Sequence, residues 1–151
     1  MRTVIFVLKY FRFWISAKSK YSIHSPFVYE LLTNVIKHNI LNSQFSEIEK
    51  LRKNLLNSHS KIEVGDLGAG SKLRYLNVRK IKDITKKYSK TPKHCELLFK
   101  LVNHFQPEIM LELGTSFGFS TMYQAIAAPQ GEISTIEGCL NTAKIADSNF
   151  I

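Results

Sequence analysis

Ile109-Met110-Leu111-Glu112-Leu113-Gly114-Thr115-Ser116-Phe117-Gly118-Phe119-Ser120-Thr121 is the stretch whose reading decides the fold. Ile109–Leu113 is a short apolar run with one acid, bounded by Pro107 before and Gly114 after, and reads as a buried strand. Residues 119–128 read as a helix, Pro129-Gln130-Gly131 as a turn, 133–136 as a second strand and 140–150 as a further helix. Upstream, Thr91-Pro92 has the N-cap and first-turn proline of a helix start. Leu97, Leu98, Leu101, Val102 and Phe105 line one face of that helix, and Gln106-Pro107 stops it. The spacing therefore predicts helix–strand–helix–strand–helix over 91–151, the unit of a parallel α/β sheet.

Two glycine loops compete for a ligand. Asp66-Leu67-Gly68-Ala69-Gly70-Ser71 follows a weak strand at 62–64, leads into a basic stretch, and reads as a structural turn or a loop folding back toward the ligand. The loop at Gly114 and Gly118 sits between two strands. Glycines there permit a tight turn and close approach of a ligand where the next helix begins. The second strand ends at Glu137, 19 residues beyond Gly118, where a carboxylate can accept both hydroxyls of a ribose. A dinucleotide fingerprint is G-x-G-x-x-G, whereas Thr115-Ser116-Phe117 leaves G-x-x-x-G here. Glu112, two residues before Gly114, would repel a pyrophosphate and attract a cation. A small nucleoside carrying ammonium and sulfonium groups suits that loop better than a nicotinamide dinucleotide.

Glu112-Leu113-Gly114-Thr115 with Gly118 and Ser120-Thr121 resembles motif I of class I S-adenosylmethionine-dependent methyltransferases, in their O-methyltransferase-like branch. Thr91-Pro92 with Leu97-Leu98, and Thr135-Ile136-Glu137, resemble the branch's preceding helix and acidic strand end. His24-Ser25-Pro26-Phe27 and the Asp66–Ser71 loop are similar to an N-terminal extension of some bacterial members. The resemblance implies an α/β fold: a helical, basic N-terminal region at 1–90, then at 91–151 the first βαβ unit of a Rossmann-like sheet. It implies S-adenosylmethionine as cofactor, with Gly114, Thr115, Ser116 and Gly118 forming its loop. Glu112 would bind near the methionine amino group, Ser120 would reach the methionine carboxylate and Glu137 would hold the ribose diol. The plainer readings are a structural salt bridge for Glu112, helix capping for Ser120 and Thr121, a solvated strand end for Glu137 and a small apolar residue for Cys139. The family's sheet has more strands than the two read here. The expectation is therefore an N-terminal portion that is inactive alone, with no catalytic residue assignable. The methyl acceptor stays open among small molecule, tRNA and protein. Exposed strand edges would favour pairing with another copy.

The 151 residues suit one ordinary domain, and 44% hydrophobic with 22% charged residues exclude a wholly disordered chain. No apolar run reaches a membrane span, no secretory leader is evident, and Cys95 and Cys139 have no metal or disulfide spacing. A reducing, cytoplasmic setting follows. Charge is uneven: residues 1–100 carry 20 of the 21 Lys and Arg and 7 of the 12 Asp and Glu, a net of +13, and residues 101–151 a net of −4. The basic half could meet an anionic partner, so a non-enzymatic nucleic-acid- or membrane-surface-binding protein is the alternative function.

Within that half, residues 1–16 mix Phe6, Tyr10, Phe11, Phe13 and Trp14 with Arg2, Lys9 and Arg12. An interfacial membrane helix is one reading. The preferred one is a helix that packs its aromatics on the fold, since apolar residues nearly circle it. Ser25-Pro26 starts a helix carrying Phe27, Val28, Leu31, Leu32, Val35 and Ile36 at helical spacing. Ser46 with Glu49 matches a capping box ahead of Ile48, Leu51, Leu55 and Leu56. Residues 72–93, with nine basic residues and one acid, would make a poorly held helix.

Overall fold

A computed structural model describes residues 2–17, 24–65 and 78–150. The chain forms two compact units, 1–39 and 40–151. Asp66-Leu67-Gly68-Ala69-Gly70-Ser71 and the first part of the basic stretch lie outside the described residues.

The first unit contains α1 (Arg2–Ser16) and α2 (Pro26–Glu30). Pro26 occupies the first turn of α2 and the Ser25 hydroxyl accepts from the Val28 N–H at 3.4 Å, as the Ser-Pro pair predicts. The same apolar run continues as a π-helical turn at Leu31–Ile36, where the Thr33 hydroxyl donates back to the Tyr29 carbonyl at 2.8 Å. Such back-bonding perturbs a helical ladder. The aromatics of α1 are not packed away: Phe6, Tyr10, Phe13 and Trp14 are all exposed. Within its own unit, no described residue covers them.

The second unit is a mixed α/β assembly. A 3₁₀ turn (Asn42–Phe45) enters α3 (Ser46–Leu56). The strands β1 (Lys61–Glu63) and β2 (Val78–Lys80) pair antiparallel with Ile62 opposite Arg79. Then come α4 (Ile81–Lys87), α5 (Pro92–Phe105), β3 (Ile109–Leu113), α6 (Phe119–Ala127), β4 (Glu132–Ile136) and α7 (Leu140–Asn149). The predicted helix–strand–helix–strand–helix order is present, and β3 pairs with β4 in parallel, with Ile109 opposite Glu132 and Leu113 opposite Ile136. Gln106 takes a left-handed conformation (φ 44°) to end α5 before Pro107.

Several local expectations change. The capping box does not form: α3 starts at Ser46 without a side-chain cap, and Glu49 turns to Arg52 and Tyr123. The described part of the basic stretch is a strand and then a helix, β2 and α4, whose Ile81 and Ile84 are buried. In α5 the buried face is Cys95, Phe99 and Val102, with Phe105 exposed. Strand β3 is covered on one side alone: Met110 and Glu112 are buried, while Ile109 (78%), Leu111 (64%) and Leu113 (76%) face solvent.

The core joins α3, α4, α5 and α6 through Phe45, Ile48, Ile84, Phe99, Phe119 and Tyr123. Phe45 stacks on Tyr123 at 4.1 Å and meets Phe99 edge-on at 5.0 Å. Aromatic pairs of this kind contribute about 0.5–1.5 kcal/mol beyond their area. Arg52, itself buried, ties the layers together. It bonds Glu49 at 3.0 Å, donates to the Lys90 carbonyl at 2.8 Å and lies 3.9 Å over the Phe119 ring. Burial of that charge is tolerable because its donors are satisfied.

Candidate functional site

Gly114 and Gly118 both have positive φ, 92° and 82°, the conformation that glycine reaches without a Cβ penalty. Between them Ser116 adopts φ 51° without being glycine. The loop is held from three sides. The Gly114 and Thr115 N–H groups donate to the Ile136 carbonyl, and the Thr115 and Thr135 hydroxyls lie 2.6 Å apart. The Ser116 N–H donates to Glu137 Oε2 at 2.8 Å. The other oxygen of Glu137 accepts from the Cys139 N–H at 3.0 Å, at the start of α7.

Beside this loop lies an open cavity of about 410 Å³. Gly114, Ser116 and Glu137 line it from the βαβ side, and Arg79, Ile84 and Tyr88 from β2 and α4. A Cβ added at Gly114 would meet no atom within 4 Å, so the backbone there faces free space. Arg79 sits 4.9 Å from the centre of the Tyr88 ring, a cation–π contact at the cavity wall.

Three of the seven predicted residues, Gly114, Ser116 and Glu137, thus meet at one cavity. The other four serve the frame. Glu112 is buried beneath the loop and accepts hydrogen bonds from the Ser120 and Thr121 hydroxyls, each at 2.5 Å. This pairing replaces the salt bridge considered for Glu112. It also spends the one proton of Ser120, so that hydroxyl has none to donate to a ligand carboxylate. Thr115 is committed to Thr135. Gly118 opens α6, and the position of its missing Cβ is occupied by the Phe150 ring, 2.5 Å away. The Ser120 side chain does not cap α6 in the usual way either, since that helix has no side-chain cap bond.

Cys139 is the N-cap residue of α7 and lines the same cavity. Burial pushes its thiol pKa up, but hydrogen bonds from the Thr142 side chain and the Thr142, Gly65 and Asn141 backbones outweigh that and leave it below the ordinary value. The Gly65 N–H is 3.4 Å from its sulfur. Cys95 is the opposite case: burial dominates over the neighbouring Arg52 charge and its thiol is raised. Burial and the Glu49 carboxylate likewise raise the Tyr123 phenol.

Arg79, Tyr88 and Cys139 carry the chemistry that sequence reading missed. Arg79 and Tyr88 lay in a stretch read as a poorly held basic helix. The pairing of β2 with β1 brings them opposite a loop that follows β3. A second cavity of about 570 Å³, between α3, α6 and β4, is walled mainly by apolar residues such as Leu51, Met122, Ile126 and Ile133. Among the described residues, no helix is long and apolar enough to cross a membrane. No family model, no curated protein and no solved structure matches the chain.

Proposed function

We propose that the cavity beside Gly114 binds S-adenosylmethionine on a Rossmann-like βαβ unit, and that the protein acts in methyl transfer. The observation that carries this reading is the open backbone at Gly114 facing a cavity edged by the Glu137 carboxylate. A glycine loop after the first strand and an acid at the end of the second are the two features a nucleoside needs, one for close approach and one for the ribose.

The lining fits the cofactor's parts. Each Glu137 oxygen accepts one backbone N–H and keeps a lone pair for a ribose hydroxyl. Ile84 and Tyr88 offer apolar and aromatic surface to a purine. Arg79 supplies the cation for an amino-acid carboxylate, the task first given to Ser120. Glu112 acts by positioning: with Ser120 and Thr121 it holds the start of α6 against β3. When bound, the cofactor supplies an electrophilic methyl group to an acceptor nucleophile in line with the departing sulfur. The chain's part is to orient it and shape the approach.

Backbone amide NMR of the ¹⁵N-labelled chain tests this. S-adenosylhomocysteine should shift the Gly114, Ser116 and Gly138 amides saturably, and NAD should leave them unmoved. Equal shifts with NAD, or none with S-adenosylhomocysteine, would refute the reading.

A further inference from the structure

We propose that α1 binds an anionic lipid surface, lying in the plane of the interface. This inference is independent of the cofactor reading. The helix exposes its apolar side chains: Phe6 is 70% accessible, Phe13 65% and Trp14 66%, with Val4, Val7, Leu8, Tyr10 and Phe11 also exposed. Contiguous apolar surface of this kind marks an interaction site. Lys9, Arg12 and Ser16, spaced three and four residues apart, fall on one strip of the helix, which Ile5 continues. Everything described around the rest of the circumference, from Val4 to Ile15, is apolar or aromatic.

Three features select a bilayer as the occupant. A groove on a protein covers one stripe of a helix, whereas the acyl boundary accommodates every side except the one facing water. Tyr and Trp with Lys and Arg are the residues that settle at the headgroup level. The charge is complementary as well: residues 1–29 contain five Lys and Arg and no Asp or Glu. The 15 residues of α1 reach roughly 22 Å, short of a hydrocarbon core of about 30 Å, which suits a helix lying in the interface. Phosphates of a nucleic acid would use the cations but leave the aliphatic Val4, Val7 and Leu8 without a partner.

Trp14 is the one tryptophan of the chain, so its emission reports on α1 directly. The full chain is titrated with phosphatidylcholine vesicles with and without phosphatidylserine, following the emission maximum and its quenching by lipids brominated at shallow or deep positions. A blue shift with the anionic vesicles and stronger shallow quenching are expected. The double variant Lys9→Gln/Arg12→Gln should bind those vesicles about 25-fold more weakly, at about fivefold per cation. Phe6→Ser/Phe13→Ser should abolish the shift; all four side chains are exposed, so the fold survives these changes, as circular dichroism would verify. The proposal is overturned by any of four results: no shift with anionic vesicles, the same affinity for neutral vesicles with no effect of the charge variant, a shift produced by DNA in place of vesicles, or a shift that follows protein concentration without lipid.

Discussion

Replacing Glu137 by alanine removes a carboxylate that serves the loop and, on the proposed reading, the ligand. In the loop it accepts the Ser116 N–H at 2.8 Å and the Cys139 N–H at 3.0 Å, so it fastens the left-handed Ser116 to the start of α7. A hydrogen bond to a charged group contributes about 1.5–3 kcal/mol when well protected. This side chain is half-buried, and water can replace part of what is lost. The structural loss should therefore be about 2 kcal/mol in urea denaturation, equivalent to roughly 4–8 °C for a chain of this size. On the ligand side, two ribose hydrogen bonds disappear, about 2–4 kcal/mol, or roughly 30- to 1000-fold in Kd. Glu137→Gln keeps one carbonyl oxygen and should fall between wild type and Glu137→Ala in both measurements. Calorimetric titration with S-adenosylhomocysteine of the folded variant separates the two roles. Unchanged affinity in Glu137→Ala would refute the ribose assignment even if stability fell. An unchanged urea midpoint would refute the loop-anchor geometry.

Gly118→Ala should lose about 1–2 kcal/mol, chiefly from placing a Cβ at φ 82°, since the clash is with the far end of the Phe150 side chain, which is partly exposed and can swing aside. Adding Phe150→Ala should recover the steric part alone, and a Gly118→Ala protein as stable as wild type would contradict the turn geometry. The two thiols should also separate in iodoacetamide labelling followed by mass spectrometry. Cys139 is lowered and Cys95 raised, so as pH rises the thiolate appears first at Cys139 and its labelling begins at lower pH. Labelling of Cys95 ahead of Cys139 would contradict the hydrogen-bond assignment around α7.

The elements from α5 to α7 were legible because their signals are local. A proline at the first turn, an apolar run between Pro107 and Gly114, and a glycine-containing turn at Pro129 each act through neighbouring backbone. Gly114 and Gly118 could be placed in a strand-to-helix turn for the same reason, and both have the positive φ such a turn uses. The ends of the strands then brought Ser116 and Glu137 together, because a parallel pair puts the segments after both strands at the same edge of the sheet.

Other outcomes depended on partners far along the chain. Glu49 was placed in a capping box, but the Tyr123 hydroxyl, 74 residues away, donates to it at 3.0 Å and Arg52 claims its oxygens. Phe45 and Tyr123 carried no local signal, yet their stack centres the core. Arg79 and Tyr88 became cavity walls only once β2 paired with β1, from which it is well separated in sequence. Glu112 and Ser120 looked like ligand groups in the motif and are instead turned toward each other under the loop. The period of a strand says that alternate residues share a face; it does not say which face another element will cover. Sequence thus determined the order of elements and the turn at Gly114. The packing of α3, α4 and α6 around them decided which polar side chains face the cavity and which are consumed holding it open, because a buried donor or acceptor must take whatever partner the tertiary fold brings within reach.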